Sequence, residues 1–190
     1  MTVLVDWELQ ELIEAGELDI CPLGQGSIQA NSIDVRLNNN FAGYDKAYEE
    51  VEIDPFDEDS TRLGLSALTA DRVLLIKGAF LLAETMETIR LPDNICAELM
   101  GKSSLARLGV TVHQTGGFID AGFRGTITLE MTNENIRPII LTAGMPIGQL
   151  VFYRTEKARI PYHARVSAKY SGQKGATGSR YYKNPRVHHG

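Results

Sequence analysis

Cysteine is scarce in this sequence: Cys21 and Cys96 are the only two among 190 residues. That is too few for a disulfide framework, and with no secretion-like segment both read as reduced thiols. No Cys-x-x-Cys and no His-x-Glu occur, so the ligand set of a zinc site of that kind cannot be drawn from the chain. Gly-x-Ser-x-Gly is missing, which removes the usual serine-hydrolase elbow. No apolar run approaches the roughly 18 residues a membrane span needs. The opening MTVLVDWELQ has neither a basic n-region nor an apolar stretch, and we expect a cytoplasmic protein with no membrane partner. A P-loop is also excluded. Gly101-Lys102-Ser103 resembles its end, but the position five residues before Gly101 holds Cys96 instead of glycine.

Acid is absent from one region only. Residues 163–190 carry Arg165, Lys169, Lys174, Arg180, Lys183 and Arg186 and no Asp or Glu. The other 13 Lys/Arg face all 24 acids in the first 162 residues, so an acidic body bears a basic tail. Tyr162, Tyr170, Tyr181 and Tyr182 are interleaved with the tail's charges. That composition suits single-stranded nucleic acid or a flap closing over a nucleotide. The acidic body opposes broad nucleic-acid binding. Eight acids between Asp45 and Asp59 lack the Asp-x-Asp-x-Asp-Gly calcium pattern and read as a solvated loop.

With 43% apolar residues, the chain supports one domain over 1–190. Leu9, Leu12 and Ile13 are helically spaced within 6–18, with Asp6 as the expected cap and Gly16 as the stop. Thereafter strand signals dominate. NSIDVRL (31–37) alternates, as does RGTITLEM (124–131), which puts Ile127, Leu129 and Met131 on one face and Thr126, Thr128 and Glu130 on the other. VLLIKGAFLLAET (73–85) reads as a hairpin about Lys77-Gly78, and 138–154 as strand, turn at Ala143-Gly144, strand. The fold class expected is all-β, a sandwich or barrel.

Three stretches could carry chemistry. In SSLARLG (103–109) a capping serine, a short helix and Gly109 leave free N–H groups beside Lys102, with Ser103 and Arg107 on one face. An anion site and a plain surface turn both fit this stretch. Glu130 lies mid-strand among threonines, which fits a solvated face, a partner or a site. In VHQTGGFIDAGFRG (112–125) Gly116, Gly117 and Gly122 flank Asp120 and allow close backbone approach, while His113 has no partner at metal spacing.

Together GKSSLARLG (101–109), FIDAGFRGTITLE (118–130), PIGQLVF (146–152) and AKYSGQKG (168–175) resemble, in order and over nearly the whole chain, the dCTP deaminases of the trimeric dUTPase superfamily. The resemblance implies a distorted β-barrel with a short N-terminal helix. It implies a homotrimer with active sites between subunits, covered by a flexible C-terminal flap (163–190). It places Lys102, Ser103, Ser104, Leu105, Ala106 and Arg107 at the triphosphate, with Lys102 standing where many relatives have arginine. Asp120 would meet the sugar 3′-hydroxyl, and Thr128, Leu129 and Glu130 the base. Tyr162, Lys169 and Gln173 would reach the phosphates from the tail.

The chemistry implied uses no zinc, and Mg²⁺ rides on the substrate triphosphate. Glu130 would be the general base for water attacking cytosine C4, Ser103 would place that water, and Arg107 would orient Glu130. Relatives that stop at dUTP usually read Ala-His-Arg where this chain has Gly116-Gly117-Phe118. Gly117-Phe118 and Gln149 look like the enzymes that continue to dUMP and pyrophosphate, although Gly116 departs from the common alanine. Feedback inhibition by dTTP is also implied. The alternatives are a deaminase releasing dUTP, a dUTPase alone, or a non-catalytic nucleotide-binding barrel.

Overall fold

A computed structural model describes residues 2–186. The chain runs β1 (Thr2–Val3), α1 (Asp6–Glu14), β2 (Asp19–Cys21), β3 (Ile28–Gln29), β4 (Ser32–Tyr44), α2 (Glu58–Arg62), β5 (Leu65–Thr69), β6 (Arg72–Leu75) and β7 (Phe80–Arg90). It continues with β8 (Ile95–Gly101), α3 (Ser103–Ala106), β9 (Val110–Thr111), β10 (Phe118–Ile119), β11 (Arg124–Asn133), β12 (Ile139–Thr142) and β13 (Pro146–Arg154). The main sheet has the order β10-β8-β13-β4-β7-β11-β9 and curls into a distorted barrel; β6 and β12 form a separate pair. The all-β expectation holds. No helix among the described residues is long and apolar enough to cross a membrane.

β4 explains the curl. Its first half pairs with β13 and its second half with β7 and β5. The register against β7 breaks between Leu37 and Phe41, across Asn38-Asn39-Asn40. The alternation read from the sequence is obeyed: Ile33, Val35 and Leu37 of β4 are fully buried, as are Leu129 and Met131 of β11, with Ile127 close behind. They pack on Leu150 and Phe152 of β13 in one core.

Two local expectations need correction. α1 forms where the periodicity put it, burying Leu9 and Leu12, and Gly16 follows its end with φ +71°. Asp6 does not cap it, however. Val5 holds the cap position, Glu8 Oε2 accepts from Val5 N at 3.2 Å, and the Asp6 carboxylate accepts from Trp7 N at 2.9 Å. The 73–85 segment does turn at Lys77-Gly78, but β6 and β7 do not pair. β7 has both edges filled by β4 and β11, so β6 pairs with β12 instead. The acidic loop is exposed, and Asp45 and Asp57 there cap short helical turns through their carboxylates.

The tail lies on the outer face of β11. Gln173 forms a parallel bridge with Gly125: Thr126 N donates to Gln173 O at 3.1 Å, and Gln173 Nε2 donates to Thr126 O at 2.9 Å. Gly125 has φ +139°, and a Cβ there would stand 2.8 Å from Gln173 O. A glycine is therefore needed for the tail to lie this close. The polar face of β11 is covered by the protein's own C-terminal segment, and Thr126 is buried.

Candidate active site

A pocket of about 460 Å³ opens between the outer face of β7 and β11, the 116–123 segment and the tail. β11 contributes Thr128 and Glu130, the 116–123 segment Phe118 and Asp120, and the tail Tyr162 and Gln173. Its size falls in the range of small-molecule sites. Strand alternation puts Thr128 and Glu130 on the outer face, and Leu82 lies directly opposite Glu130 on β7.

Glu130 is the carboxyl of this pocket whose ionisation is displaced by its surroundings. Burial pushes its carboxyl above the ordinary value, while the Gln114 N–H and the nearby His113 pull weakly the other way. Gln114 N donates to Glu130 Oε2 at a long 3.4 Å. His113 Nδ1 is buried with no hydrogen-bond partner among the described residues. A carboxyl that is half-buried, weakly tethered and harder to ionise than usual holds its proton more tightly than an exposed one, which favours a group that takes up and returns protons.

The pocket gathers Phe118, Asp120, Thr128, Glu130, Tyr162 and Gln173 from among the residues the sequence marked. It does not gather the rest. Leu129 is fully buried in the core, so its side chain faces away from the pocket. Lys102 donates to both Asp34 oxygens at 2.7 Å. Gln149, opposite Asp34, donates to Gly101 O at 3.3 Å and accepts from Ser32 Oγ at 3.0 Å. Ser103, Ser104, Ala106 and Arg107 are exposed on and beside α3, and buried Leu105 pins that turn to the core. Ser103 begins the helix without capping it, since Lys102 holds the cap position and no side chain bonds there. Lys169 Nζ sits 5.7 Å over the Tyr181 ring, outside the pocket lining. One chain thus holds two clusters, the pocket and the α3 edge.

Gly117 carries the 116–123 segment across β8. Its carbonyl accepts from Leu99 N at 2.8 Å, and a Cβ at 117 would lie 2.9 Å from Leu99 O. Gly117→Ala is expected to cost about 1–3 kcal/mol in urea unfolding, because backbone must shift to admit the methyl group. A loss below about 0.5 kcal/mol would show that the segment yields freely.

The model of the dCTP deaminase-like family matches residues 3–155. The chain belongs to that family. It is 55% identical over 184 residues to "dCTP deaminase, dUMP-forming" of Methanospirillum hungatei JF-1, covering 97% of this chain and 98% of that protein. A protein of the same description from Leifsonia xyli subsp. xyli is 41% identical, with 96% of this chain and 92% of that one covered. Among solved structures, the 2′-deoxycytidine 5′-triphosphate deaminase from Agrobacterium tumefaciens shares the fold. Its TM-score is 0.61 at 23% identity, over 79% of this chain and 47% of that chain. The family match ends at residue 155, so the tail that roofs the pocket lies beyond it.

Sequence reasoning missed Tyr170, Thr177 and Ser179, which also line the pocket. Tyr170 was seen as part of the tail's aromatic pattern, but no local signal says which face of the barrel a tail will lie on.

Proposed function

We propose that the chain is a dUMP-forming dCTP deaminase, converting dCTP and two waters to dUMP, diphosphate and ammonia. The observation that carries the reading is Glu130, a desolvated carboxyl in a pocket with Asp120 and Thr128 under the tail. Full-length similarity to proteins described as dUMP-forming supports it. In the first step Glu130 takes a proton from water and the oxygen bonds to C4 of cytosine. As the C4=N3 double bond opens, N3 takes up that proton from Glu130. The new hydroxyl then gives its own proton through Glu130 to the amino group, C4=O forms, the C4–N bond breaks and ammonia leaves. In the second step another water displaces diphosphate from the resulting dUTP.

The deaminating base in this reading is a carboxylate, so the proposed step calls for no zinc. Magnesium arrives on the triphosphate oxygens. Asp120 receives the sugar hydroxyl and Thr128 the base edge. The exposed Ser103 and Arg107 lie outside their own pocket, so a second copy must bring them to Glu130, as a homotrimer with shared sites would. dTTP has the same sugar and triphosphate, lacks the C4 amine and competes for this pocket as a feedback inhibitor.

The dUMP-forming choice rests on Gly117-Phe118 and Gln149 and on the descriptions of the similar proteins. In this chain a side chain at position 117 would place its Cβ 2.9 Å from the Leu99 carbonyl, so the segment lies this close only because glycine stands there. Incubation with dCTP and Mg²⁺ followed by ion-exchange chromatography tests the reading. dUMP and diphosphate without dUTP build-up is the expected result. Accumulating dUTP would leave a deaminase that stops early. Hydrolysis of dUTP alone would make it a dUTPase, and no turnover of either would make it a binding barrel.

A further inference from the structure

Glu84 is a carboxylate with 2% exposure in the middle of β7, directly opposite Thr128. It forms no ion pair among the described residues. A buried charge of this kind persists only if its oxygens are filled by donors. They are. Oε1 accepts from Asn38 Nδ2 at 2.9 Å and from Asn40 Nδ2 at 2.8 Å. Oε2 accepts from Thr126 Oγ1 at 2.8 Å and from the Gly175 main-chain N at 2.6 Å. Three donors belong to the barrel and one to the tail. The two asparagines stand where the register of β4 against β7 breaks, so the bend in that strand aims both at Glu84.

The tail contacts on either side of Gly175 are weaker in kind. Gln173 meets Gly125 and Thr126 through neutral amides, and Thr177 N reaches Thr128 Oγ1 at 3.4 Å. Among the described residues, the Gly175 N–H on a carboxylate is the one charge-assisted bond between residues 173–177 and the barrel. The residues just beyond it, Thr177 to Ser179, line the pocket with Glu130. We propose that Glu84 is a positioning residue that fixes the tail in register over the pocket through Gly175 N–H. Lifting the tail leaves Oε2 one donor short, so the barrel draws the tail back to one register and not to a neighbouring one. As a statement about catalysis, this rests on the proposed deaminase reading.

The test compares the full-length protein with Glu84→Gln, which keeps the size but places an amide where donors converge. Trypsin cleavage after the exposed Lys174, followed by mass spectrometry, is expected to speed up about tenfold in the variant, as it follows the open population of the tail. KM for dCTP is expected to rise about tenfold while kcat stays within about twofold, since nucleotide binding can still close the tail at saturation. Unchanged cleavage and KM would overturn the proposal. So would a fall in kcat and unfolding midpoint with tail cleavage unchanged, the mark of a purely structural carboxylate. Should the variant not fold, hydrogen exchange on the wild-type protein decides: Gly175 N–H is expected to be protected, and exchange at the rate of an open chain would refute the bond. Tail protection is read with or without turnover, so inactivity towards dCTP would count against the proposed function and not against this role.

Discussion

Glu130→Gln is expected to lower dCTP turnover by about 10²–10⁴-fold, the usual cost of losing a general base, without lowering the unfolding midpoint. The amide keeps the size and cannot take the proton. The stability half follows from the direction of the carboxyl's displacement. Burial raises it above its unfolded value, and Gln114 N–H and His113 only partly offset this. The native protein therefore binds this proton more tightly than the unfolded chain. The stability so gained is fully present below the unfolded value and is lost as pH rises through the folded one. Once ionised, the carboxylate is a burden on the fold, and the glutamine removes it. For the same reason the acid limb of kcat/KM in the wild-type protein should lie above the ordinary carboxylate range of about 4.3. A pH–rate profile and a thermal melt of the variant check both halves. Retained turnover would remove Glu130 from the mechanism, and a markedly lower midpoint would make it a structural group.

Arg36→Met should destabilise the protein by about 3 kcal/mol, the lower end for breaking a buried pair. Arg36 Nε lies 2.7 Å from Glu87 Oε1, and the side chain of Glu87 is 1% exposed against 28% for Arg36. Arg36 Nη2 also donates to Pro22 O at 2.9 Å, tying the loop after β2 to β4. Without the guanidinium, Glu87 keeps only the Arg36 main-chain N–H at 2.8 Å and becomes a buried charge with no cation. The double variant Arg36→Met/Glu87→Met should recover most of the loss, because the pair itself contributes little beyond cancelling its own desolvation. Urea unfolding of the three proteins measures this. A loss under about 1 kcal/mol for the single variant would put the pair among ordinary surface bridges.

The sequence carried the parts of the fold that depend on which side of a strand faces inward. Ile33, Val35 and Leu37, and Ile127, Leu129 and Met131, are where alternation put them. It did not carry partner choice. Lys77-Gly78 makes the same turn whether β6 and β7 pair or part, and competition for the edges of β7 decides between them. The site divides the same way. Glu130, Asp120 and Thr128 were legible because their neighbours form recognisable runs, and the pocket brings them together. Leu105 and Leu129 belong to the same runs but turn to the core, where they hold the site without touching it. Glu84 was not legible at all. Its partners are residues 38, 40, 126 and 175, which only the finished barrel brings together.

Between residues 172 and 177 the tail is held down largely by its main chain, through Gly172 N on Arg124 O, Gln173 O on Thr126 N, Gly175 N on Glu84, and Thr177 N on Thr128 Oγ1, with the Gln173 side chain adding one bond to Thr126 O. The side chain of Lys174, exposed between two of these bonds, has no part in them. Docking of this kind places little selective pressure on side-chain identity at such positions. Related tails can diverge in spelling there and still fasten in the same place, so long as the barrel keeps the acceptors, Glu84 among them, that receive the tail's main chain.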